Sequence, residues 1–380
     1  MKGRTIRILS LCLALALLLA GLVRTLLHPD TEIYYENRPA NRIGALTEGT
    51  VLSGVFQDSV EDALSDQAPA AVKLKKLYNI LDARLSLPFA RRLAAGGRYA
   101  GYRSVCLFRD MLVLRPETPA ERAELLDTAR ELIASWSAAL PETPLYLYYI
   151  ETDRDIDLET GEKSGIYDYL TRELPLPPER MERLSIASYE DYHRDFLATD
   201  HHWNAAGSYR AYLQLCEMLS LTPLETDGVY TDHGHYLGTR AAGIEGIAPE
   251  DFSVVLYRYA PLAVSSCGNP FDNYGLQQAF IDGELPGFSY GSVYGGDGGE
   301  VLLDAGGEGP TVLILGDSYD NAILKALASG FGETWSVDLR AYHNDTGKIF
   351  DLPAFVAEHD VDLVLLIGGI DFYSSTILLS

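Results

Sequence analysis

The last seventy residues hold the pattern that most limits the fold. Thr311–Leu315 (TVLIL) and residues 361–367 (VDLVLLI) are apolar runs of strand length, and residues 335–339 (WSVDL) form a third strand-like run between them. Runs this apolar have no polar side to turn to water, so they belong in a sheet covered on both faces. Stretches of helical character separate them, at residues 321–328 (NAILKALA) and 353–358 (PAFVAE). Strand and helix in alternation predict βαβ units, a parallel sheet and right-handed crossovers that carry helices onto the sheet faces.

The same alternation occurs upstream. Thr118-Pro119-Ala120-Glu121 is a helix start, with a cap and then proline in the first turn, and the helix is expected to run to about residue 139. Residues 144–151 (PLYLYYIE) then read as a buried strand. Residues 204–219 place Tyr209, Tyr212, Leu213, Cys216 and Leu219 at helical spacing. Helices are also expected at 55–64 and 71–81, a strand at 106–114, a loop or linker at 88–102 and a Gly-dense long loop or hairpin at 288–309. Residues 222–288 do not divide by pattern. Three parts are expected: a targeting segment at 1–28, a connector with helices at 29–102, and an α/β catalytic domain at 103–380.

Residues 1–7 carry three cations, and residues 8–23 (ILSLCLALALLLAGLV) are apolar apart from Ser10. That arrangement fits a signal peptide or an uncleaved N-terminal membrane helix. Without a convincing small-residue cleavage site, the anchor is the favoured form. Either way the body is expected outside the cytoplasm, secreted or membrane-anchored.

The chain carries a net charge of −24. The first 28 residues hold Lys2, Arg4, Arg7 and Arg24 and no acid, so the body has 26 bases against 54 acids, a net of −28. Such a body repels polyanions, and no basic stripe with interleaved aromatics offsets it, so no nucleic-acid partner is expected. Cys106, Cys216 and Cys267 lie far apart, without metal-ligand spacing, and define no disulfide framework.

Two short segments bear chemistry. In Gly316-Asp317-Ser318-Tyr319 a serine stands where a buried strand turns towards a helix, the position at which open α/β sheets bind ligands. Unpaired N–H groups there can stabilise an oxyanion, although a capping role for Asp317 or Ser318 explains the same residues. In Thr199-Asp200-His201-His202-Trp203, an extended backbone puts Asp200 and His202 on one side. His202 can then serve as base to Ser318 with Asp200 orienting it, a Ser-His-Asp triad.

Together these segments resemble the DHHW family of exported proteins, within the SGNH-like superfamily that includes alginate-type O-acetyltransferases. Asp200-His201-His202-Trp203 matches the naming motif, Gly316-Asp317-Ser318-Tyr319 the nucleophile block, Glu36-Asn37-Arg38 an N-terminal signature and Val337-Asp338-Leu339-Arg340 a further familiar block. The resemblance implies an SGNH-like (flavodoxin-like) three-layer α/β/α domain with a parallel sheet. It implies catalytic Ser318, His202 and Asp200, permuted relative to ordinary SGNH hydrolases, and acyl transfer to or from a glycan hydroxyl. No cofactor or metal is implied. A glycan substrate and an acyl donor are, the donor being supplied by a membrane acyl-exporting protein where transfer is the reaction.

One block departs from the superfamily pattern. Gly368-Gly369-Ile370-Asp371 has Ile370 where an oxyanion Asn would stand. The Ser318 amide is the natural first donor, the Gly295-Gly296 loop is a candidate for the second, and Arg340 is a candidate for substrate or charge binding. Two other classes stay open. A metal-dependent hydrolase would draw on Asp200, His201, His202, Asp232, His233 and His235. A non-catalytic glycan-binding module would draw on the 24 tyrosines.

Overall fold

The computed structural model describes residues 11–17, 19–21, 23, 32–33, 38–67, 71–272, 274–285 and 287–374. Among these, no helix is long and apolar enough to cross a membrane. Most of the expected targeting segment, including residues 1–10 and 24–28, lies outside the described residues.

The chain divides into two compact units, one of residues 1–89 with 241–247 and one of residues 90–240 with 248–380. The first contains the short antiparallel pair β1 (Glu32–Ile33) and β2 (Arg38–Pro39) and helices Glu48–Leu52, Val55–Gln67 and Ala71–Leu85. Thr47 and Thr50 cap the first of these helices reciprocally.

The second unit is built on an eight-stranded sheet. Its strands are β6 (Leu145–Ile150), β7 (Met181–Leu184), β10 (Ala263–Ser266), β11 (Asn269–Pro270), β12 (Val301–Asp304), β13 (Thr311–Leu315), β14 (Glu333–Val337) and β15 (Leu363–Gly368), in the order β11-β10-β12-β14-β13-β15-β6-β7. From β14 to β7 every pairing is parallel. The expectation of a parallel sheet needs correcting at the other edge, where β12, β10 and β11 add antiparallel strands. β12 lies in the Gly-dense stretch read as a loop or hairpin, and it pairs with β10 and β14 and not within that stretch. Four residues with alternate burial between glycine-rich turns are too short a signal for the pattern to reveal.

Strand geometry alternates side chains between the two faces of this sheet. Val312 and Ile314 of β13, Leu365 and Ile367 of β15, and Tyr148 and Ile150 of β6 enter one core, which also holds Ala211, Tyr212, Leu215 and Cys216 of helix Ala205–Met218. Leu313 and Leu315, Val364 and Leu366, and Leu147 and Tyr149 enter the other, with Leu126, Ala129, Ile133 and Trp136 of helix Pro119–Ala139. The continuous apolar runs are thus two interleaved faces, each with its own helical layer: a three-layer α/β/α domain.

The unit also holds two antiparallel additions, β3–β5 (Ala100–Tyr102, Val105–Phe108, Met111–Val113) and the pair β8 (Thr226–Tyr236) and β9 (Glu250–Tyr257). The expected single strand at 106–114 is a hairpin. The expected linker at 88–102 is helix Leu87–Ala94 followed by β3. Pro88 does not stop that helix, because it falls in the first turn, where no amide hydrogen is needed. Cys106, Cys216 and Cys267 are free thiols.

Candidate active site

Ser318 stands just beyond the carboxyl end of β13, whose neighbours on either side are β14 and β15. Gly316 makes the departure from the strand possible, since a Cβ there would lie 2.2 Å from Asp320 Oδ2. The chain does not enter the expected helix at once. A 3₁₀ turn, Asp320–Ala322, precedes a short helix, Leu324–Ala328. The amides after the serine are engaged in the turn, Tyr319 N–H with Asp317 Oδ1 (3.1 Å) and Asp320 N–H with the Asp317 carbonyl (3.0 Å).

The Asp-His segment is the tip of a pinched loop. Phe196 and Trp203 pair across its base, and the Leu197 amide bonds the His202 carbonyl at 3.1 Å. Asn204 caps the following helix, accepting from the amides of Ala206 and Gly207. Glu250 of β9 holds the far side, accepting from the amides of Ala198 (2.7 Å) and Thr199 (2.6 Å). Gly238 fits where a Cβ would come within 2.5 Å of Asp200 Cβ.

This loop brings the three expected residues into one line. His202 Nδ1 lies 2.9 Å from Asp200 Oδ1, and His202 Nε2 lies 2.8 Å from Ser318 Oγ. Asp200 Oδ1 also accepts from the amides of His201 (2.6 Å) and His202 (3.3 Å) and from Thr239 Oγ1 (3.0 Å). Oδ2 accepts from the Thr239 amide (3.0 Å) and from the Tyr236 hydroxyl. The Tyr290 ring stacks on the His202 imidazole at 3.9 Å and 7°. Tyr290 accepts a hydrogen bond from Trp203 Nε1 at 2.9 Å, and the Tyr319 hydroxyl donates to the His201 carbonyl at 2.7 Å. The tryptophan of the Asp-His-His-Trp run therefore acts on the histidine through a tyrosine that lies 87 residues later.

Environment sets the charges. Burial depresses the His202 imidazole to about 4, against the upward pull of Asp200, so it is neutral at pH 7 and able to accept a proton. Burial would raise the Asp200 carboxyl, but the hydrogen bonds it accepts from His201 and His202 outweigh it and hold the group well below the usual carboxylate range. A neutral imidazole between an ionised carboxylate and a serine hydroxyl is an arrangement that activates the hydroxyl.

The Gly295 amide bonds the Gly291 carbonyl at 2.9 Å as a helix cap, and Gly296 follows it. Arg340 is engaged with Asp338, through Nε at 3.0 Å, and with Asp297 Oδ2, 2.6 Å from Nη2. Asp297 in turn accepts from Asn321. Arg340 is thereby tied through Asp297 to the 3₁₀ turn that follows Ser318. Of the metal-ligand candidates, Asp200, His201 and His202 lie close enough together to hold an ion. Both oxygens of Asp200 are already saturated by N–H and O–H donors, so an ion would have to displace several of them. Asp232, His233 and His235 lie on exposed β8, with His233 bonded to Asp251 and His235 to Asp232.

Tyr236, Thr239, Glu250 and Tyr290 went unrecognised in the sequence. Tyr236, Thr239 and Glu250 lie in the turn-rich stretch that pattern does not divide and Tyr290 just after it, and each acts by hydrogen bonding or stacking on a partner distant in sequence.

A serine at the carboxyl end of a central parallel strand, between two helical layers and within reach of an upstream Asp-x-His, marks an SGNH-like fold. Solved structures share the fold. The chain is similar to Bacillus cereus PatB1, at 15% identity over 74% of this chain and 98% of that one, with a TM-score of 0.57. PatB1 with a sulfonyl adduct gives 17% identity, 71% and 95% coverage and a TM-score of 0.56. A DHHW family protein from Eubacterium siraeum DSM 15702 gives 19% identity, 73% and 91% coverage and a TM-score of 0.51. No family profile matches the sequence, and no curated protein does. At these identities the likeness is one of fold.

Proposed function

We propose that this chain is a serine-dependent O-acyl transferase or esterase, with acetyl as the acyl group, acting outside the cytoplasm on a cell-surface or secreted glycan. The observation that carries the proposal is the line Asp200–His202–Ser318, with hydrogen bonds of 2.9 and 2.8 Å. His202 Nε2 takes the Ser318 proton as Oγ attacks an ester carbonyl, and Asp200 stabilises the imidazolium that forms. The Ser318 amide, which has no hydrogen-bond acceptor among the described residues, is the first oxyanion donor. As the tetrahedral intermediate collapses, His202 returns the proton to the leaving alkoxide and the acyl group stays on Ser318. Water or a sugar hydroxyl then attacks, with His202 again as base, and frees the serine.

The sulfonyl adduct of PatB1 is the kind of covalent capture an activated serine would give here. The basic and then apolar N-terminus supports export, and an exported transferase would draw its acyl groups from a membrane acyl-exporting partner. The test is turnover of p-nitrophenyl acetate by the full chain, with intact mass read for an acetyl adduct. An adduct on the native protein that is absent from Ser318→Ala supports the reading. Turnover unchanged in Ser318→Ala and His202→Ala sinks it.

A further inference from the structure

The first unit holds a helix whose apolar side chains face outward. In Ala71–Leu85, the side chains of Leu74, Leu77, Tyr78, Leu81 and Leu85 are each 48–66% exposed. Helical geometry gathers them into one stripe about 100° wide along the whole helix, the width that a helix ordinarily turns to its core. Here the opposite side makes the packing contacts. Asn79 Nδ2 lies 3.5 Å from the Gly243 carbonyl oxygen, and a Cβ at Gly246 would lie 3.4 Å from Ala83 Cβ. Asn79 and Ala83 sit roughly 150–170° around the helix from the middle of the stripe. The segment of residues 241–247 therefore holds the helix from one side and leaves the stripe on the other.

Charge selects what covers that stripe. Residues 71–98 carry seven bases and a single acid, Asp82, in a body that elsewhere is strongly acidic. On the helix itself, Lys73 and Arg84 are exposed and lie along one flank of the stripe, roughly 70–90° from its middle. At that angle their aliphatic stems run beside the leucines while the charges reach past them. A second copy of the chain packed stripe to stripe would set these bases against their own equivalents. A bilayer with acidic headgroups satisfies both features, taking the leucines among its acyl chains and the bases at its phosphates. It also repels the remaining acidic surface, so this face alone is drawn towards it. The apolar run of residues 8–23 precedes this unit in the chain and, held in a membrane, would keep the helix close to such a surface.

We propose that helix Ala71–Leu85 lies flat on an anionic bilayer surface, with Leu74, Tyr78, Leu81 and Leu85 in the outer part of the acyl layer and Lys73 and Arg84 at the headgroup phosphates. The helix does not span the bilayer. Its fifteen residues run about 22 Å along the surface and have a polar, packed side that stays with the protein. The contact requires no chemistry at Ser318 and stands apart from the acyl-transfer reading.

Tryptophan quenching by brominated lipid tests this on the full chain reconstituted with vesicles. Leu81→Trp puts a reporter in the stripe at an exposed position, and Val229→Trp puts one on exposed β8 as a control. The emission of the native chain, with its three tryptophans, is subtracted from each. In phosphatidylglycerol vesicles, bromination of the acyl chains is expected to remove about half or more of the Leu81→Trp signal, because a stripe residue of a surface helix sits among those chains. The Val229→Trp signal is expected to stay. Phosphatidylcholine vesicles, or the further substitutions Lys73→Glu and Arg84→Glu, are expected to restore most of the Leu81→Trp emission. A Leu81→Trp signal untouched by bromination overturns the proposal, as does equal quenching of the two reporters, which would mean tethering by the N-terminal segment alone. Equal quenching in phosphatidylcholine removes the charge argument and overturns it as well. A concentration-dependent blue shift of Leu81→Trp without vesicles would show that a second copy covers the stripe, and would likewise overturn it.

Discussion

Two groups of histidine and aspartate in the second unit use the same residue types and reach opposite outcomes. Around Asp200 the chemistry converges. The carboxylate has no solvent exposure, takes six hydrogen bonds, and passes its influence through His202 to one serine. On β8 and β9 the same residues pair one to one on the surface, where the His233 and His235 side chains are 78% and 73% exposed. Burial removes competing water, so a hydrogen bond in the first group fixes both a charge state and a direction. In the second, solvent screens each pair to within about 0–1 kcal/mol. Residue type nominates a site, and convergence in a dry place makes one.

The largest expected effects fall on the converged group. Ser318→Ala and His202→Ala should each lower kcat for p-nitrophenyl acetate by roughly 10⁴–10⁶, because such groups act as one unit. Asp200→Asn should cost about 10⁴, through loss of the correct imidazole tautomer. A loss below tenfold for Asp200→Asn would mean that the carboxylate only braces the loop, and the comparison would break.

Stability should separate the two regions as well. Asp200→Ala leaves the Tyr236 hydroxyl, the Thr239 amide and the His202 ring without their acceptor in a buried place. By analogy with broken buried pairs, about 3–5 kcal/mol should be lost in denaturant titration. Trp203→Phe removes the bond to Tyr290 and shortens a fully buried side chain, and should cost about 1–3 kcal/mol. Its more telling readout is kcat, since a Tyr290 ring freed from that bond would let the His202 imidazole tilt away from Ser318.

The pH profile sharpens the contrast further. His202 titrates near 4 when folded and near 6.5 in an unfolded chain. Between those values the unfolded chain binds a proton that the folded one refuses, so stability falls as pH drops from about 6.5 towards 4. Activity depends on the folded value. The acid limb of kcat/KM should therefore lie near pH 4, with a plateau through pH 7. An acid limb near 6.5 would show that the imidazole behaves as a surface histidine does.

The sequence made the frame of this fold legible because the frame rests on local signals. β6, β13 and β15 are apolar runs, and Pro119 and Asn204 mark helix starts in or beside the first turn. The line Asp200–His202–Ser318 was legible for a related reason, since each end is a short motif at a strand or helix boundary. The antiparallel edge was not, because β10, β11 and β12 are two to four residues long and owe their place to neighbours in the sheet. The same holds for Tyr290, Tyr236 and Glu250. Each is an ordinary residue of a turn-rich stretch, and its importance lies wholly in the partner it meets across the fold. Arg340 shows the converse. Its motif stood out, yet Asp338 and Asp297 account for its hydrogen bonds.

The smallest predicted effect tests the surface side of the comparison. His233→Ala and His235→Ala remove exposed side chains whose single partners, Asp251 and Asp232, can return to water. Solvation replaces most of what each pair supplied, so each variant should change stability by less than about 0.5 kcal/mol. Esterase turnover should stay within about twofold of the native protein, because among the described residues the two side chains pair with Asp251 and Asp232 and the electrostatic reach of a screened surface charge is about one Debye length. Both quantities should also be insensitive to added zinc. A zinc-dependent rise in turnover that either substitution abolished would give the surface group a role of its own, and convergence would then no longer separate the two regions.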